Sequence, residues 1–244
     1  MKKTIPYVLI LLVFTLLSGC SAQRAVDTYN GLSARLAGNN PPTFFKIDSV
    51  EEANNLKLTS KYFDVSMPIV KQDDFIKMGG WYGMNMYNGE NISLGLNQHP
   101  VGSGKGVGSI HYDVEFSSSI YPYTERERSI ENKINNFPLQ RTKPNGETID
   151  VNLHYETHGK EKYICLINES YNEKLGERKK HYGCYKFNSE RTVVKKVSID
   201  LTYTRVPNLS KELEPLANEY TYEDLQKRSQ RILDSLYIKD GWEK

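Results

Sequence analysis

Residues 193–203 read Val193-Val194-Lys195-Lys196-Val197-Ser198-Ile199-Asp200-Leu201-Thr202-Tyr203. In an extended chain Val193, Val197, Ile199, Leu201 and Tyr203 fall on one side. Val194, Lys196, Ser198, Asp200 and Thr202 fall on the other, and Lys195 is the one break in the apolar face. A period of two marks a strand. One dry face and one wet face mark a strand of an antiparallel sheet, because parallel sheets are covered on both sides.

The same alternation recurs on either side of this segment. Ile110, Tyr112, Val114 and Phe116 alternate with His111, Asp113 and Glu115, and Ile149, Val151, Leu153 and Tyr155 alternate with polar residues. A turn at Gly159-Lys160 leads into two further predicted strands, Tyr163–Tyr171 and His181–Phe187, with a polar loop between them. Tyr62–Val70 reads as a strand, and the Gly- and Asn-rich stretch 79–108 as strands and turns. Helical signals are fewer. Ser49 with Glu52 three residues on forms a capping box that opens a helix to about Leu56. Asp73–Met78 reads as a helical turn. Glu125–Phe137 reads as a charged helix with Ile130, Ile134 and Phe137 on one face, stopped by Pro138. Thr221 caps a last helix to about Tyr237 whose apolar stripe is Tyr222, Leu225, Ile232, Leu233 and Leu236; Pro215 precedes it within a shorter helical turn. The expected class is α+β: an antiparallel sheet with a few helices packed on one side.

The N-terminal residues speak to location. Lys2 and Lys3 precede an apolar run, Ile5–Leu17, of about 13 residues, short of the roughly 20 that cross a bilayer. A basic start, a short apolar core and then small residues make an export signal. Leu17-Ser18-Gly19-Cys20 resembles the lipobox of bacterial lipoproteins. That resemblance implies removal of residues 1–19 and acylation of Cys20. Two or more acyl chains hold a protein firmly on a membrane. Ser21, standing where an Asp favours retention in the inner membrane, implies an outer-membrane anchor facing the periplasm. Residues 20–42, ending in Gly38-Asn39-Asn40-Pro41-Pro42, read as a lipidated tether, and 43–244 as the folded region, with a possible division near 140.

The chain holds 32 basic and 30 acidic residues, and Lys2 and Lys3 supply the surplus, so the mature form is formally neutral. Neutrality argues against nucleic acid as a partner and leaves membrane attachment to the lipid alone. After Cys20 only Cys165 and Cys184 remain. In an oxidising compartment an even pair reads as a disulfide tying a hairpin, since no ordered His spacing supports a metal site instead.

Chemical motifs are sparse. Gly102-Ser103-Gly104-Lys105-Gly106-Val107-Gly108 lacks the hydroxyl residue after the lysine and the following helix that a phosphate loop needs, so it reads as an exposed loop. His154 and His158 share a strand face but lie roughly 13 Å apart by strand rise, too far to share a metal. Asp73-Asp74 and Glu51-Glu52 read as helix-start caps. No nucleophile elbow or zinc-protease signature occurs. The expectation is therefore a non-enzyme without cofactor or metal. About half of the 17 tyrosines are expected on sheet faces as core and the rest exposed, and tyrosine is favoured at protein interfaces. Candidate contacts are His99 and Lys105 in one loop and Glu173, Lys174, Glu177, Arg178 and Lys179 at a charged hairpin tip, a tip whose plainer reading is mere solvation.

This combination resembles the lipoprotein immunity proteins of type VI secretion systems that neutralise phospholipase effectors. The resemblance rests on the lipobox residues Leu17–Cys20 and otherwise on overall character, so no interface residue transfers from it. It implies a periplasm-facing protein that binds a toxic effector, a phospholipase or another antibacterial enzyme, and blocks its active site. The alternatives are a structural or assembly lipoprotein of the cell envelope and an envelope enzyme with an unrecognised site.

Overall fold

The computed structural model describes residues 43–86, 91–98, 110–134, 140–142, 148–150 and 152–242. In chain order these carry β1 (Thr43–Lys46), α1 (Val50–Asn55), β2 (Lys57–Thr59), β3 (Phe63–Ser66), α2 (Gln72–Lys77), β4 (Trp81–Met86), β5 (Asn91–Gln98) and β6 (Ile110–Pro122). They continue with α3 (Glu125–Glu131), β7 (Gln140–Thr142), β8 (Thr148–Asp150), β9 (Asn152–His158), β10 (Tyr163–Asn172), β11 (Glu177–Phe187) and β12 (Val193–Arg205). The chain closes with α4 (Glu214–Glu219), α5 (Tyr222–Ser235) and β13 (Tyr237–Ile238). The expected signal and lipobox with Cys20, the expected tether, and His99 and Lys105 lie outside the described residues.

Eight strands form one antiparallel sheet in the order β1-β4-β5-β6-β12-β11-β10-β9. β12 sits inside it and runs against β6 from Val193↔Pro122 to Arg205↔Ile110. The sheet thus joins chain from both sides of residue 140. Val197, Ile199, Leu201 and Tyr203 point into the main core, where α5 lays Leu225, Ile232 and Leu233 over them. A smaller sheet, β13-β3-β2, closes the same side, with Phe63 stacked 5.9 Å from Phe116 of β6. β3 is shorter than the alternation suggested. Ser66 N–H donates to Ser235 Oγ (2.8 Å) and Ile69 N–H to Arg228 O (3.0 Å), so helix α5, not a neighbouring strand, takes these backbone groups.

One detail of β12 bears out the sequence reading and one corrects it. Lys195 is buried on the apolar face: its stem lies in the core, and its Nζ sits over the rings of Tyr62 (5.5 Å) and Trp242 (5.1 Å) while donating to Lys239 O. The C-terminal segment thus caps the ammonium of a snorkelling side chain, and burial lowers the Lys195 pKa. On the supposedly wet face Val194 is also buried, with Ile130, Leu166 and Tyr185 in a second core. α3 covers that end, so helices pack on both faces and not on one.

Helix α3 ends at Glu131, earlier than expected. Lys133 adopts φ 53°, and the bonds Lys133 N→Ile130 O and Ile134 N→Ser129 O form a Schellman stop. Glycine usually supplies that left-handed residue, which is why the sequence hid the stop, and Ile134 is left exposed. The expected starts are in place: Ser49 Oγ accepts from Glu52 N–H and Thr221 Oγ1 from Asp224 N–H.

Cys165 and Cys184 are directly opposed on β10 and β11 and form a disulfide with Cα atoms 4.0 Å apart. The hairpin extends well beyond it. Pairing continues to Asn172↔Glu177, with only 173–176 in the turn, so Glu177, Arg178 and Lys179 belong to a strand, not to a loop.

Candidate protein-binding site

Side chains opposite each other on an antiparallel hairpin share a face. Tyr171 faces Arg178, and Arg178 faces Tyr203 on β12. The Arg178 guanidinium lies 5.3 Å from the Tyr171 ring centre and 5.6 Å from that of Tyr222, the first residue of α5. It is therefore sandwiched between two tyrosines of opposite character: Tyr171 is 62% exposed and Tyr222 only 8%. Burial, together with the charge of Glu169, pushes the Tyr222 hydroxyl up to about 12. Clefts of about 290 and 320 Å³ open on either side of the stack. Tyr171, Arg178 and Tyr222 line both; Glu169 borders the first and Arg205 and Glu223 the second.

The nearest carboxylate to Arg178 is that of Glu223, at 3.6 Å from Nη1, beyond hydrogen-bond reach. Other arginines are differently held. Arg205 donates to Glu214 (2.8 Å), Arg191 to Glu131 (3.1 Å) and Arg231 to Asn54 (2.6 Å). Two rings and a long, exposed ion pair with Glu223 hold Arg178.

The turn itself is clamped. Gly176 has φ 61°, its carbonyl accepts from Arg205 N–H (3.0 Å), and a Cβ there would lie 1.8 Å from Arg205 O. Only glycine fits so close an approach at that dihedral. Leu175, 54% exposed, projects beside this clamp.

The charged residues expected at one tip divide among three places. Glu173 and Lys174 are exposed in the turn. Arg178 lies on the α5 side. Glu177 and Lys179 point to the opposite face, 3.3 Å apart in an ion pair and close enough to act on the charge of Asp113. The sequence reading did not single out Tyr171, Tyr222, Glu169 or Arg205. Tyr171 was within reach of it, since stepping six residues outward from each cysteine pairs Tyr171 with Arg178. Tyr222 belongs to the expected apolar stripe of α5, and only tertiary packing brings it beside Arg178.

Elsewhere, Glu156 stands between two histidines, its Oε1 3.0 Å from His154 Nε2 and its Oε2 2.6 Å from His158 Nε2. Burial works against the charge of Glu156, and the two hydrogen bonds outweigh it and lower its pKa. The histidines meet different oxygens rather than one point. Among the described residues no group of three or more His, Cys, Asp or Glu is placed to hold a metal, and no helix is long and apolar enough to cross a membrane.

Asp74 fulfils its expected cap, accepting from Lys71 N–H (2.9 Å), and does more. It is fully buried and also accepts from Trp81 Nε1, Tyr220 OH and Arg228 Nη1.

No protein-family model matches the chain, and no curated protein or solved structure is detectably similar to it.

Proposed function

We propose that the protein is a lipoprotein, anchored through acylated Cys20 in the outer membrane and facing the periplasm, that binds and inhibits a toxic effector of phospholipase type. The observation that carries the binding role is the end of the β10–β11 hairpin. An exposed tyrosine, an arginine set between two rings with one long, exposed ion pair to Glu223, and a glycine-clamped turn form a surface shaped before any partner arrives. Such surfaces lose less entropy on docking, and Tyr and Arg are the residues that most often dominate binding energy. The lipid anchor rests on Leu17-Ser18-Gly19-Cys20 and would hold this surface where an incoming effector must pass.

The test is co-expression, in the periplasm, of the protein with the toxin encoded beside it. The expected result is protection of the cell and a stable complex of residues 21–244 with the toxin on size-exclusion chromatography. Full killing despite good expression, with no complex, overturns the immunity reading and leaves an envelope-assembly role. In parallel, Cys20→Ala abolishes incorporation of a clickable fatty acid if Cys20 is the lipidated residue; equal labelling of the variant rejects the anchor.

A further inference from the structure

The geometry points to a specific group on the partner: a side-chain carboxylate, presented on a loop, that docks on Arg178 between Tyr171 and Tyr222. This rests on the binding role proposed above and names the chemistry the surface accepts. A guanidinium offers five N–H donors in a planar fork that matches a carboxylate with two parallel bonds. In this chain that fork is only loosely engaged, by the exposed Glu223 carboxylate at 3.6 Å. Its central carbon lies 5.3 and 5.6 Å from two ring centres, and it meets no acceptor within hydrogen-bond distance among the described residues. Contact with the rings restricts this side chain before binding, which lowers the entropy cost of docking.

The surroundings favour one carboxylate rather than a multiply charged anion. Each cleft beside the stack is bordered by an acidic residue of the protein, Glu169 or Glu223. These would repel a multiply charged phosphate more than a single carboxylate. The second basic group nearby, Lys180, is engaged with Glu169 at 2.8 Å, and Arg205 with Glu214 at 2.8 Å, so neither adds a free cation for a phosphate. The exposed Tyr171 ring and Leu175 supply apolar contact for the loop that carries the acid.

The experiment is an NMR titration of the soluble chain, residues 21–244, with three probes: N-acetyl-glutamate amide, its neutral isostere N-acetyl-glutamine amide, and inorganic phosphate, all at fixed ionic strength. The readouts are the Arg178 Nε–Hε resonance and the ring resonances of Tyr171 and Tyr222. The expected result is saturable binding of the glutamate probe at least fivefold tighter than the glutamine probe. Arg178→Lys weakens it at least fivefold, as read on the tyrosine rings. Equal response to the two amides in the native chain, or a response unchanged in Arg178→Lys, overturns the inference. Phosphate binding tighter than the glutamate probe overturns the choice of carboxylate. No toxin enters this measurement, so loss of protection in cells with the carboxylate response intact would refute the immunity reading alone.

Discussion

Among the described residues two arginines each lie within cation–π range of two tyrosine rings, and they are held in opposite ways. Arg228 of α5 stands 5.6 Å from Tyr112 and 5.1 Å from Tyr220, and Arg178 stands 5.3 Å from Tyr171 and 5.6 Å from Tyr222. The ring geometry is nearly the same. The difference lies in the carboxylates. Arg228, with a side chain 2% exposed, donates to both oxygens of Asp74 at 2.8 Å and to Asp224 at 2.6 Å. Arg178, 49% exposed, has Glu223 at 3.6 Å. Lys71, partly exposed at the edge of the cluster, bonds to Asp224 at 2.8 Å, so two cations balance two anions. A buried charge must be paired where it stands, whereas an exposed one can wait for a partner from outside. Tyrosine rings place both guanidinium groups; how closely a carboxylate holds each one sets how far the fold depends on it.

Removing a carboxylate from the buried pair should give the largest effect. Asp74→Ala strips Arg228 of its principal partner and orphans Trp81 Nε1 and Tyr220 OH at once. A loss of about 3–5 kcal/mol is expected in urea unfolding, the range for breaking a buried ion pair. That is a large part of the roughly 5–15 kcal/mol that holds a domain together. A loss under about 1 kcal/mol would mean that Arg228 is not structurally required as its contacts imply.

The disulfide comes next. It pins the hairpin at its core end, whereas Arg178 lies toward the turn. Closing a loop across a sequence separation of 19 is worth about 3 kcal/mol in the chain-entropy model. Cys165→Ala with Cys184→Ala should lower unfolding stability by about that amount and leave the carboxylate response at Arg178 intact in the folded fraction. If that response disappears while the chain remains folded, the open site depends on the staple and the two ends of the hairpin are not independent.

A carboxylate sharpens the contrast from the acid side. Asp113 of β6 is pushed up to about 6 by burial and by the charge of Glu115, with Lys179 acting in the opposite sense. Its ordinary value is 3.8, so the folded protein holds this proton more tightly than the unfolded chain does. Its contribution to stability is therefore full below pH 3.8 and is lost as pH rises through about 6. Asp113→Asn removes the ionisation. The variant should exceed the native protein by about 1–2 kcal/mol at pH 7.5 and match it near pH 3.5, a figure held below the full conversion because Asp113 still meets solvent. An advantage that does not vary with pH would show that its source is not the proton.

Much of this was written in the sequence, and the part that was not has physical causes. Alternation located β6 and β12, and Ser49 and Thr221 marked the starts of α1 and α5, because these signals are local. The second core under α3 was hidden, since Val194 among lysines and serines resembles a wet face until a helix covers it. The hairpin's outer half was hidden too: its residues are charged on both faces, so no apolar period marks a strand there, and register with β12 alone extends it. Arg228 did leave a sign that went unread. It stands three residues after Leu225 and four before Ile232, on the apolar stripe of α5, where a charge requires a buried partner.

Arg178 should give the smallest stability effect, and this is the point on which the comparison stands or falls. A cation over an aromatic ring at an exposed site contributes about 0.5–1 kcal/mol. An ion pair at the distance and exposure of Arg178 and Glu223 contributes little more than zero. Arg178→Ala should therefore lower unfolding stability by at most about 1 kcal/mol, while the same substitution at Arg228, between equally close rings, should cost several times as much because it leaves Asp74 buried without its cation. The measurement is a pair of urea titrations at one pH and salt concentration, with the native chain beside both variants. Near-equal losses would mean that the rings, and not the carboxylates, set the role of each arginine, and that Arg178 is a structural strut. A small loss at Arg178 and a large one at Arg228 leaves the open guanidinium dispensable to the fold, as a residue reserved for a partner must be.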